Sequence, residues 1–169
     1  VRCIRRLLSV PELCDAFVKM EGAAHIFATL KTFKNLELLE VSLQIVDLLL
    51  HKNELYVQKL LVEHCGALLA TIGACDEKPS LLTFVAKLLS NVSHEVHDKL
   101  VAFVDEISAT SCKFAQNKEV VKYLFALLAE IATDGDMSLL QRMQDKGVTR
   151  ATIEAVTANA SSKSLIKSA

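Results

Sequence analysis

Two prolines and five glycines are few breaks for 169 residues. An all-β chain of this length needs turn clusters between its strands, so their scarcity excludes a sandwich or barrel. Tryptophan is absent, and aromatic residues make up only 5% of the chain. The long-helix positions singled out below hold none of the aromatic side chains on which single-strand nucleic-acid readers stack bases. No charge of one sign dominates: 19 Lys and Arg face 20 Asp and Glu, a net charge of −1. Nucleic-acid binders usually show a strong basic excess, and none is present, so no nucleic-acid partner is expected. No run free of Asp, Glu, Lys and Arg approaches the roughly 18 residues of a membrane-spanning helix. The five cysteines, Cys3, Cys14, Cys65, Cys75 and Cys112, are odd in number and form no Cys-x-x-Cys pair. They read as small buried hydrophobes in a reducing compartment, the cytoplasm or the nucleus. No signal peptide is visible, and Asn91-Val92-Ser93 and Asn159-Ala160-Ser161 read as chance sequons. Val1–Leu8 already has the pattern of a helix interior, so a fragment of a longer protein is expected.

Apolar residues fill 51% of the chain, interleaved with Lys, Glu, Asp and Gln. That interleaving suits helices that bury a wide stripe. The stripe recurs. Four helical segments end on an apolar pair whose second Leu stands at positions 8, 50, 89 and 128, giving steps of 42, 39 and 39. Gly22, Gly66 and Gly147 each open a further apolar stretch, while Asp105 occupies the corresponding place in the third cycle. The cycle reads as three helices: short (11–20, 54–63, 95–102, 136–145), medium (22–33, 66–74, 104–114, 147–157) and long (35–52, 79–92, 117–132). Pro79 suits a first helical turn, Ser93 or His94 a cap, and Asp134-Gly135-Asp136 a stop and restart. From 159 to 169 the composition shifts to Ser, Ala and Lys, which reads as a flexible tail or a frayed helix.

A period near 40 with a short–medium–long triplet resembles the armadillo repeat. The residues that carry the likeness are Gly22-Ala23-Ala24 with Phe27 and Leu30, then Gly66-Ala67-Leu68-Leu69, then Leu88-Leu89-Ser90-Asn91-Val92. The resemblance covers residues 1–158 and implies an all-α, right-handed α-solenoid of about four repeats. Two-helix HEAT repeats are the near alternative. It also implies a protein-binding scaffold, without catalysis or cofactor, whose long helices line a groove. In peptide-binding members an Asn near the end of that helix grips the ligand, with a Trp one turn earlier. Here the Asn slot holds Val10, Lys52, Asn91 and Glu130, and the Trp slot holds Arg6, Leu48, Lys87 and Ala126. Only Asn91 matches, so the extended-peptide grip is not implied. One turn further back lie Gln44, Thr83 and Lys122.

The expected face is then Arg6, Gln44, Leu48, Lys52, Thr83, Lys87, Asn91, Lys122, Ala126 and Glu130, with four cations against one anion. Such a stripe suits an acidic or amphipathic helical segment of another protein. A regulatory repeat domain of a larger enzyme is the alternative, and self-association through end faces is a further one. His94-Glu95-Val96-His97 is one residue short of a zincin motif and reads as a polar helix start. His64-Cys65 reads as packing beside Gly66, not as a nucleophilic dyad. No Gly-rich phosphate loop or Gly-x-Ser-x-Gly elbow is present.

Overall fold

The computed structural model describes residues 10–30, 35–52, 54–74, 78–133 and 135–158. Among these the chain is entirely helical, without a strand. Ten helices follow one another: α1 (Pro11–Lys19), α2 (Gly22–Leu30), α3 (Leu36–Leu50), α4 (Glu54–Ala74), α5 (Pro79–Ser90), α6 (His97–Ala102), α7 (Val104–Lys113), α8 (Lys118–Thr133), α9 (Met137–Asp145) and α10 (Val148–Ala158).

Local chemistry sets most of these ends. A proline opens α1, with Glu12 in its first turn and Lys19 in its last, the polarity the helix dipole favours. The Asn35 side chain caps α3 by accepting from the backbone N–H of Glu37 at 2.9 Å and of Leu38 at 3.2 Å. Pro79 stands in the first turn of α5, as expected. Asp136 accepts from the Leu139 N–H at 2.8 Å and caps α9. Gly147 ends that helix with φ +85°, in the left-handed region that penalises any Cβ. Gly22 opens α2 beneath the Phe17 ring, which a Cβ there would overlap.

Two expectations fail. Gly66 does not separate a short helix from a medium one: α4 runs unbroken for 21 residues through both Gly66 and Gly73. A glycine costs a helix interior only about 1 kcal/mol against alanine. Here Leu60, Leu61, Cys65, Leu68, Leu69 and Ile72 are buried on both sides of it, an apolar stripe that outweighs that cost. The second cycle therefore holds two helices, whereas the first and third hold three. Ser93 and His94 do not cap the next helix either. The Ser93 hydroxyl donates to the Ser90 carbonyl at 3.3 Å, and α6 begins at His97 behind Val96, without a side-chain cap. Asp134 and the segment 159–169 lie outside the described residues, as do Arg6, Cys3 and Cys75.

The packing forms two rows. In one row α3 lies against α5, and α5 against α8; in the other α2 lies against α4, α4 against α7, and α7 against α10. The rows face each other over a continuous core. The recurring pairs Leu49-Leu50, Leu88-Leu89 and Leu127-Leu128 all lie in it. The long helix α3 buries Leu39, Ser42, Leu43, Ile45, Val46, Leu49 and Leu50. Val41, Gln44, Asp47 and Leu48 stay half-exposed, so α3 is covered on about half its girth.

Candidate functional site

The side-by-side row of α3, α5 and α8 brings the expected face together. Gln44, Leu48, Thr83, Lys87, Lys122, Ala126 and Glu130 are half-buried, and Lys52 and Asn91 are exposed. None of the nine is a core residue. Gln44 and Leu48 belong to α3, with Lys52 just past its end. Thr83 and Lys87 belong to α5, Asn91 closes that helix, and Lys122, Ala126 and Glu130 belong to α8.

The polar groups of this face are largely occupied. The Lys87 ammonium lies 2.7 Å from Oδ1 and 2.8 Å from Oδ2 of Asp47, bridging α5 to α3. The pair is only partly wet, with the Lys87 and Asp47 side chains 28% and 16% exposed. The Asn91 amide donates back to the Lys87 carbonyl at 2.7 Å, and the Thr83 hydroxyl to the Pro79 carbonyl at 2.9 Å. Lys122 lies over the Tyr123 ring, 4.8 Å from its centroid. Glu130 stands 3.4 Å from His94 Nδ1 across the turn that follows α5.

Asp47 and Tyr123 were not among the sequence candidates. Asp47 precedes Lys87 by 40 residues, one more than the 39-residue step between these helices, so it stands next to the register position of Lys87 on the neighbouring helix. That spacing was the available signal. Adding Asp47 to the described face leaves Lys52, Lys87 and Lys122 against Asp47 and Glu130, so the cation excess narrows to one.

The remaining motifs resolve into packing. The His64 ring stacks on Phe27, with centroids 5.3 Å apart and planes 8° apart, and Cys65 beside it is buried. His94 is exposed, and His97 leaves a buried Nδ1 without a hydrogen-bond partner. Among the described residues, no three His, Cys, Asp or Glu side chains converge as a metal site. Cys14 is buried, and burial pushes its thiol above the ordinary range. Cys112 is half-buried and donates to the Lys146 carbonyl at 3.2 Å. Burial raises its pKa, and the charge of Glu154 raises it further. An apolar cleft of about 140 Å³ lies where α8 meets α9 and α10, lined by Phe125, Leu128, Ala129, Ala132, Met143, Val148 and Thr152. Among the described residues, no helix is long and apolar enough to cross a membrane. No protein-family model, curated protein or solved structure matches the chain.

Proposed function

We propose that the chain is a protein-binding scaffold of armadillo-like architecture, a right-handed α-solenoid of about four repeats, the second of which holds two helices in place of three. The observation that carries this reading is the row α3–α5–α8. Three long helices lie side by side at the recurrence of the Leu pairs, and their outward side chains stay out of the core. A repeat that covers only one side of its long helix leaves the other side as a continuous strip for a guest. The guest that suits this strip is an amphipathic helix of another protein. Leu48 and Ala126 offer its apolar face a contact, and Lys52 and Lys122 steer its acidic side.

The test is affinity capture of native partners by the intact chain, by Lys122→Glu/Ala126→Arg, and by Arg150→Gln on α10. Lys87 is left unchanged because its replacement would strand Asp47. The expected result is that a partner retained by the native chain and by Arg150→Gln is lost with the double variant. Undiminished capture by the double variant rejects the strip as the binding surface.

A further inference from the structure

The central cation of the strip is already answered from within the chain. Lys87 stands between Leu48 and Ala126 in the repeat register, and the Asp47 carboxylate contacts its ammonium through both oxygens. We infer that Asp47 is a specificity-determining residue: it takes the place a guest's carboxylate would occupy and so turns acidic side chains away from the middle of the strip. The inference rests on the proposed binding strip.

First, a guest carboxylate could reach Lys87 only by displacing Asp47 or by sitting beside it. Displacement would leave a carboxylate that is only 16% exposed without its cation, and an uncompensated charge in such a site is costly. Sitting beside it would set like charges within a few ångströms. Second, the neighbouring groups offer an acid little in exchange, since the Thr83 hydroxyl is turned onto the Pro79 carbonyl and one of the two Asn91 amide hydrogens onto the Lys87 carbonyl. Third, Lys52 and Lys122 have no carboxylate within ion-pair distance among the described residues. The strip therefore accepts acids at its two flanks and a neutral or apolar residue at its centre. Discrimination by an internal repulsive element is a general route to specificity.

The test uses the full chain and two labelled amphipathic helical peptides, identical except that the mid-peptide residue is Glu in one and Gln in the other, read by fluorescence anisotropy. The native chain should bind the Gln peptide more tightly. Asp47→Asn should tighten the Glu peptide about three- to tenfold, the scale of one partly exposed charge pair, and leave the Gln peptide unchanged. Asp47→Asn/Lys87→Gln should lose that gain. Asp47→Ser serves as a second charge-removing variant should Asn disturb folding, which circular dichroism reports. Equal affinities for both peptides in every variant would overturn the inference and reduce the ion pair to a structural clamp. A chain that binds neither peptide in any variant would overturn it as well. The capture experiment with Lys122→Glu/Ala126→Arg then tells separately whether the strip itself fails.

Discussion

Replacing Gly66 by alanine tests the one place where α4 departs from the expected break. Gly66 lies thirteen residues into a 21-residue helix. It is exposed, and a Cβ built on it meets nothing within 4 Å. No contact is gained or lost, so the effect is the intrinsic preference of a helix interior, about 0.8–1.0 kcal/mol in favour of alanine. For a chain of this size a gain of that order raises the melting temperature by about 2–4 °C. Thermal unfolding followed by circular dichroism at 222 nm measures it, with urea midpoints as a second reading. A glycine that ended one helix and opened another would occupy a left-handed position, and alanine would then cost about 1 kcal/mol. The sign of the shift decides. A lower melting temperature for Gly66→Ala refutes the continuous helix and restores three helices to the second cycle.

Three further outcomes follow from the geometry. Gly147→Ala forces a Cβ into φ +85° and should destabilise the chain by about 1 kcal/mol or more, read as a lower urea midpoint at unchanged slope. Phe27→Ala removes a fully buried ring stacked on His64; it should cost about 3–5 kcal/mol, enough to unfold a marginally stable domain in a thermal melt. Because burial and then Glu154 raise the Cys112 pKa, less thiolate is present at pH 8 than for an ordinary cysteine, and the deficit closes as the pH rises through the raised value. Peptide mapping after iodoacetamide should show slow labelling at Cys112 at pH 8, speeded by Glu154→Gln; labelling at the rate of a free cysteine would contradict it.

The sequence announced the long helices plainly. Paired Leu residues at a period of 39 are core positions in α3, α5 and α8, because neighbouring helices in a row must repeat the same buried contact. Helix starts were legible where a single residue supplies the chemistry, as with Pro79 and Asp136, whereas Gly147, read as opening a helix, ends α9 in the left-handed region. The Gly66 break was misread because a glycine signals either a turn or a tolerated weak spot. The buried residues on its two flanks decide which, through tertiary packing that no local pattern reports. The nine described positions of the candidate strip lie outside the core, but the partner of Lys87 was not legible from those positions. The count of four cations against one anion took one line of slots per helix, whereas Asp47 reaches Lys87 from the neighbouring helix. Arg6, placed at the start of the strip, lies outside the described residues.

If guests lie along the row α3–α5–α8, hydrogen–deuterium exchange of the chain with and without a captured partner reports it segment by segment. The expected result is added protection in segments 44–52, 83–91 and 122–130, with the row α2–α4–α7–α10 unchanged. Protection confined to α4, α7 and α10 would contradict that placement and move the binding surface to the opposite side of the molecule.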